Sequence, residues 1–335
     1  MIPKIIYNVL ILFLMMLAGV IIKKCKLVPD GFGKGLSNIV LYIGQPALIF
    51  LAYVREFDKT ILINSLWIIL FATVAHIIFA VASHFAFKGA ENAKRKMLSF
   101  ATIFSNAAFM GIPLIGAAMG DDALIYASMY NIVFNLFLWS LGVNICTSPD
   151  EACGDNATEG IKLKEEHKGS LLKAVLHPVT IAAAVGLVFF FTPLNRYMND
   201  SNYLGGLLSE GFGMLKGLVA PLSMIIIGIR LADMNLKGFF SDKYLYIFLA
   251  LRHFALPIAV CAIMRLVIVL GVPVSLDILT VVAILACTPS ASSSTMFAER
   301  YDCDSAYVSK LVAVSTIISV VTMPAVIYLA TLGLA

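Results

Sequence analysis

Two short stretches hold the residue types that could bind a ligand inside an otherwise apolar chain. The first is Phe104-Ser105-Asn106-Ala107-Ala108-Phe109-Met110-Gly111-Ile112-Pro113, and the second is Cys287-Thr288-Pro289-Ser290-Ala291-Ser292-Ser293-Ser294. Each sets small hydroxyl or amide groups beside a proline, within an apolar run long enough to cross a bilayer. Proline lacks an N–H and clashes with the preceding turn, so a helix is expected to kink or stop at Pro113 and at Pro289. A helix that restarts after a break presents free N–H groups and the positive end of its dipole. Two such ends facing one cavity make an anion site. The candidate binding residues of the two stretches are therefore Ser105, Asn106, Gly111, Pro113, Thr288, Pro289, Ser290 and Ser292, with Ser293 and Ser294 as further donors. Asn131 and Asn135, one helical turn apart, and Gln45 and Ser223, close to Pro46 and Pro221, are expected to add donors from neighbouring helices.

The acids are as informative as the donors. Asp121, Asp122, Glu299, Asp302 and Asp304 fall at the ends of the apolar segments that carry these stretches, not within them. A cationic substrate would call for an intramembrane carboxylate, so an anion fits better. Proton coupling through a buried carboxylate has no evident carrier, whereas sodium could use backbone carbonyls and hydroxyls. Arg252 and His253 lie about one-third of the way into an apolar segment and are coupling or gating candidates, since intramembrane ionisable groups are functional by default. The alternatives are that Arg252 snorkels to the surface or binds helix-end carbonyls, and that His253 simply packs. His76 and His84 are expected to be packing or interface residues.

The elements that must position these residues follow from hydropathy. The chain has 335 residues, 60% hydrophobic and 13% charged, against about half and a quarter in a soluble domain, so it is a polytopic membrane protein. Ten apolar segments of spanning length occur near 3–22, 36–54, 61–87, 97–119, 122–146, 171–193, 208–232, 243–270, 276–298 and 306–333. The first has no small-residue cleavage pattern and is expected to stay as a span. The one hydrophilic loop is 147–170, where Asn156-Ala157-Thr158 matches a glycosylation sequon by chance. The six cysteines show no CxxC and no ligand spacing with histidine, so they are packing residues, and no metal or cofactor is expected.

Orientation follows from the basic residues. With the N-terminus outside, the inner loops hold Lys23, Lys24, Lys26, Lys34, Lys88, Lys94, Arg95, Lys96, Lys162, Lys164, Lys168, Lys173, Arg230, Lys237, Lys243, Arg300 and Lys310, which leaves only seven of the 24 elsewhere. Both termini are then outside.

The halves repeat. Gln45-Pro46-Ala47-Leu48 is matched by Ala220-Pro221-Leu222-Ser223, Gly111-Ile112-Pro113 by Cys287-Thr288-Pro289, and Asp121-Asp122-Ala123-Leu124-Ile125-Tyr126 by Asp302-Cys303-Asp304-Ser305-Ala306-Tyr307. Five spans per half is an odd number, so the second copy enters from the opposite side, giving an inverted repeat. The expected fold is all-α: ten transmembrane helices in a 5+5 inverted repeat (1–146 and 171–335) with broken helices 4 and 9.

The ordered set Asn38, Tyr42, Pro46, Leu48 and Phe50, then Asn106 to Pro113, Pro221-Leu222-Ser223-Met224 with Gly228, Arg252 with Pro257, and Pro289-Ser290 resembles the auxin efflux carrier family, in particular its bacterial malonate- or malate-type permeases. The resemblance spans essentially the whole chain. It implies a fold similar to bile-acid sodium symporters and to NhaA-like carriers, with helices 4 and 9 crossing at their breaks. Helices 1, 2, 6 and 7 would be a scaffold, and helices 3–5 and 8–10 a moving transport domain. It further implies a permease for organic anions, by secondary active or facilitated transport with alternating access, in a plasma membrane (the bacterial inner membrane). The partners would be a small carboxylate or auxin-like acid, sodium or protons as coupling ions, the lipid bilayer and a second copy of the chain in a homodimer, with no nucleic acid. The rival readings are a sodium-coupled bile-acid-type symporter and a sensor that binds without flux. An enzyme is disfavoured: there is no Gly-x-Gly-Asp before Asp121, no His-Glu-x-x-His, and no serine with an evident His or Lys partner.

Overall fold

The computed structural model describes residues 2–148, 175–199, 203–233 and 239–331. Cys153, the sequon at Asn156 and all but the start of the 147–170 loop lie outside the described residues. Among the described residues the chain is all-helical, with no strand and one isolated β-bridge. We label the helices α1 (Ile2–Lys24), α2 (Phe32–Tyr53), α3 (Lys59–Ala86), α4 (Asn92–Ile103), α5 (Ala107–Met119), α6 (Asp121–Thr147), α7 (Pro178–Phe191), α8 (Asn195–Asn199), α9 (Leu204–Ala232), α10 (Lys243–Val269), α11 (Leu276–Cys287), α12 (Ser293–Arg300) and α13 (Ser305–Thr331).

Seven of these, α1, α2, α3, α6, α9, α10 and α13, are long and apolar enough to cross a membrane, while α5, α7 and α11 are shorter apolar helices. The expected segments 97–119 and 276–298 are not single helices. Each is cut, into α4 with α5 and into α11 with α12.

At three of the prolines inside helices the backbone makes room. Wide π-turns at Val40–Gly44, Ala107–Gly111 and Leu251–Ala255 each end two residues before a proline: Pro46, Pro113 and Pro257. Widening the turn gives the carbonyls ahead of the proline ring other donors, so the helix continues. Pro113 therefore neither stops nor restarts a helix, contrary to the sequence expectation.

Packing is dense around α11, in which every residue from Ile278 to Cys287 is buried. A helix apolar on all sides belongs in a core. It packs against α13 and α10, and α3 packs against α6 and α4. Along the opposite side α1 lies on α9, and α2 on α7 and α9. The outward face of α1 carries Tyr7, Leu10, Leu14, Leu17 and Ile21, all at least half exposed, as a helix against lipid requires. Ion pairs mark the two ends of the bundle. Lys23–Asp233 (3.2 Å) and Lys94–Asp242 (3.9 Å) lie at one, Arg55–Asp122 (3.0 Å) and Lys216–Asp121 (2.5 Å) at the other.

The α1–α9 contact is backbone on backbone. A Cβ on Gly228 would strike the Met16 carbonyl, and one on Gly19 the Ile225 carbonyl. Small residues at such crossings are what let membrane helices approach this closely. Gly35 on α2 has open space around it. We expect Gly228→Val to lower the melting temperature of purified protein by about 2–10 °C, from roughly 1–3 kcal/mol of overpacking. Gly35→Ala, assayed alongside in the same detergent, should leave it unchanged.

Candidate functional site

The two cuts in the bundle meet. α11 ends at Cys287 because Thr288, held extended by the following proline (φ −59°, ψ 149°), cannot continue the helix. No proline forces the first cut. Phe104 is extended (ψ 116°) and Asn106 takes φ −77°, ψ 49° before α5 starts at Ala107. What holds this stretch open is the other half. The Asn106 N–H donates to the Pro289 carbonyl (2.8 Å), the Ala291 N–H donates to the Phe104 carbonyl (2.9 Å), and Ser105 and Ser290 form an antiparallel bridge. The Asn106 amide also reaches Ser292 Oγ at 3.4 Å.

Behind the paired cuts lie Arg252 and His253, both buried. Arg252 Nη1 donates to the Thr102 carbonyl (3.1 Å) and Nη2 to the Thr288 carbonyl (2.7 Å), with its guanidinium 5.1 Å from the centre of the Phe79 ring. It does not snorkel; it binds helix-end carbonyls. The two ring nitrogens of His253 meet Ser315 Oγ and Thr322 Oγ1, each at 2.9 Å, and Ser315 Oγ accepts the Ser290 N–H (2.9 Å). His253 thus ties α10 and α13 to the second cut.

In front of the cuts is a cavity of about 200 Å³. α2 contributes Leu41, Tyr42 and Gln45, the first cut and α5 give Ser105, Asn106, Ala108 and Phe109, and α6 adds Asn131, Asn135 and Trp139. Ala291, Ser293, Phe297 and Arg300 close it, with His177 at the start of α7. Among the described residues no Asp or Glu lines it. The first turns of α5 and α12, where N–H groups lack intrahelical partners, border it. The side-chain oxygen of Asn131 is buried with no hydrogen-bond partner among the described residues. Such a group is what a ligand or water would satisfy.

A second cavity, of about 620 Å³, lies at the end marked by Arg55 and Lys216. It continues along the same seam between α2 and α5: Leu48, Ala52 and Arg55 follow Gln45 on one helix, and Ile112, Pro113 and Gly116 follow Phe109 on the other. Gln45 Nε2 donates to the Ala108 carbonyl (2.9 Å) between the two spaces.

Of the residues expected in one site, Ser105, Asn106, Gln45, Asn131 and Asn135 line the first cavity. Pro113 lines the second. Gly111 meets neither; a Cβ there would strike Leu285, so its role is close packing of α5 on α11. The Thr288 hydroxyl bonds its own helix at the Leu285 carbonyl, and Ser290 is wholly buried beside Ser315. The carbonyl of Ser292 accepts from Arg230 Nη1 (3.2 Å), away from the cavity. Pro289 supplies the carbonyl that receives Asn106. Ser223 is fully buried, has no hydrogen-bond partner among the described residues and lines neither cavity. Trp139, His177 and Arg300 were not foreseen as lining residues. Arg300 counted only as a flanking charge, and nothing in the spacing of the other two pointed inward.

Residues 4–327 match the family described as "Membrane transport protein". Two archaeal proteins, each described as an uncharacterized transporter, resemble the chain over most of both sequences. One, from Methanothermobacter thermautotrophicus, is 25% identical over 321 residues, 95% of each chain. The other, from Methanocaldococcus jannaschii, is 23% identical over 324 residues, 94% of this chain and 95% of its own.

The geometry predicts a labelling pattern. In protein with its native thiols blocked or replaced, Asn135→Cys should react with a polar thiol reagent applied at the Arg300 end. Ser290→Cys, behind the cuts, should react at least about tenfold more slowly because access limits thiol chemistry. Equal rates would mean that the cavity does not open where the lining residues say it does.

Proposed function

The chain belongs to the membrane transport protein family, and on that premise we propose that it carries small organic anions across the membrane by alternating access. The observation that carries this reading is the cavity at the paired cuts. It is bordered by two helix N-termini, lined by Asn, Gln and Ser donors and, among the described residues, free of carboxylates. Its volume of about 200 Å³ lies below the roughly 300–1,000 Å³ of drug-sized pockets. That favours a substrate of malonate or malate size, or a flat aromatic acid, over a bulky bile-acid-like anion.

The seam supports the alternation. Two cavities stacked on α2 and α5, parted at Gln45, are what a carrier needs if one body slides past another. We assign α1, α2, α7 and α9 to the scaffold and the remaining long helices to the moving body. The mutual packing of α1 with α9 and of α2 with α7 and α9 supports this division.

We further take the chain to cross ten times as an inverted 5+5 repeat in which the cut helices cross. The supporting detail is a matched pair of caps. Asp58 caps α3 and Asp242 caps α10, each accepting from the N–H two residues on (2.6 and 3.0 Å). Tyr126 after the first cut bonds Asn64 of α3 (3.2 Å), and Tyr307 after the second bonds Asp242 (2.9 Å). The two sets sit with the Arg55 and the Lys94 ion pairs respectively, at opposite ends of the bundle. With basic loops inside, the cavity at the cuts faces the cytoplasm, both termini lie outside, and the membrane is the plasma membrane.

The test is counterflow in proteoliposomes of purified protein with labelled malonate, malate and indole acetate, with and without a sodium or proton gradient. Saturable exchange of one of them is the expected result. Sodium-dependent uptake of larger amphipathic anions would favour a bile-acid-type symporter, and binding without flux a sensor. For the carried anion, Asn106→Ala should cut exchange about 10–100-fold, the loss expected for one hydrogen bond to a charged group, while the protein still folds and inserts. Near-normal exchange would remove Asn106 from the site.

A further inference from the structure

The paired cuts leave two kinds of helix end at the middle of the bundle, and the structure treats them differently. The N-terminal ends of α5 and α12 border an open cavity. The C-terminal ends of α4 and α11 do not. One carbonyl at each end, that of Thr102 and that of Thr288, is taken by the same guanidinium, that of Arg252. In carriers built on broken helices, unwound carbonyls and half-helix C-termini are the groups that coordinate the co-transported cation. Here that position is filled by a side chain.

Charge supports the match. Each helix C-terminus carries about half a negative elementary charge, so two together offset about one guanidinium. Arg252 is fully buried, and no Asp or Glu is buried among the described residues, so no carboxylate competes for the role. The fork of the guanidinium also suits this position, with one nitrogen directed to each half of the chain and the ring of Phe79 across its face. A free sodium ion could bridge the same two carbonyls, but it would have to arrive and leave with each cycle.

We propose that Arg252 is a resident cation standing in the coupling-ion position, so that the protein moves its anion without a bound sodium ion. This rests on the transport reading above, but its first test does not need a substrate. Radiolabelled sodium binding to purified full-length protein should show no saturable component, and the melting temperature should be the same in sodium and choline chloride at equal ionic strength. Arg252→Ala empties the position. Sodium or methylguanidinium at millimolar concentration should then raise its melting temperature by about 2–5 °C over choline, as a ligand of the folded state does. Saturable sodium binding by the wild type would overturn the proposal, and so would a folded Arg252→Ala protein indifferent to both cations. If Arg252→Ala does not fold, Arg252→Lys keeps the charge without the fork. It should fold with a lower melting temperature and remain blind to sodium, and sodium binding by it would count against the proposal.

Counterflow separates the two readings. Exchange by the wild type at equal rate in sodium and choline supports both. Exchange that requires sodium sinks the resident-cation proposal and keeps the carrier. No exchange of any anion counts against the carrier and leaves the binding results to decide on Arg252.

Discussion

The rest of the structure depends on one requirement: backbone polar groups at the middle of a membrane must find partners. An unpaired N–H or C=O in hydrocarbon costs several kcal/mol, so a helix cannot simply be interrupted there. This chain interrupts two, and each cut satisfies the other. Asn106 N–H goes to Pro289, Ala291 N–H goes to Phe104, and Arg252 takes a carbonyl from each side. Neither half could hold its opening alone. The residues involved stand 186 apart at Asn106 and Ser292, so the opening forms only once both halves have come together.

That dependence sorts the polar residues around the cuts into two groups. Thr288, Ser290, Ser315, His253 and Arg252 hold the opening in shape through bonds to one another and to the backbone, with Ser290 Oγ and Arg252 Nε left without a partner among the described residues. Ser105, Asn106, Asn131, Asn135 and Gln45 face the space that results. Burial does not separate the groups, since Arg252, Thr288 and Ser290 are 0% exposed and Gln45, Ser105, Asn106 and Asn131 only 1–2%; what separates them is that the second group lines the cavity. A mutation in the first group would therefore be felt as a change of shape before it is felt as a change of chemistry.

Much of this was legible in the sequence, for identifiable reasons. Apolar runs announce a membrane protein, and Pro289 announces the second cut because the residue before a proline avoids the helix. The first cut lies before Ala107 rather than at Pro113. That proline looked like its cause, yet a π-turn over Ala107–Gly111 absorbs it as others absorb Pro46 and Pro257. The true cause, a hydrogen bond to Pro289, lies in the other half and leaves no local trace. For the same reason Gly111 looked like a site residue when its role is to let α5 approach Leu285. Asn131 and Asn135 were found because two amides one turn apart on an apolar helix are costly unless they face something polar. Trp139 and Arg300 carried no such signal; an aromatic or a flanking cation has a ready alternative on any membrane helix.

The two kinds of helix end also bear on how such a unit could move. The guanidinium sits on α10, in the same packed group as the cuts it serves, and in the proposed carrier it would offset the negative ends within one body. The positive ends of α5 and α12 amount to about one elementary charge together, and among the described residues no acidic side chain lines the cavity beside them. Empty, the body therefore presents excess positive charge to the α2 seam. A bound anion offsets that charge. Moving a buried charge through a low-dielectric seam is expensive, whereas moving a neutral pair is much less so. In the proposed carrier the substrate thus does more than occupy the cavity: it supplies the charge that lets the body slide past Gln45 from one cavity to the other.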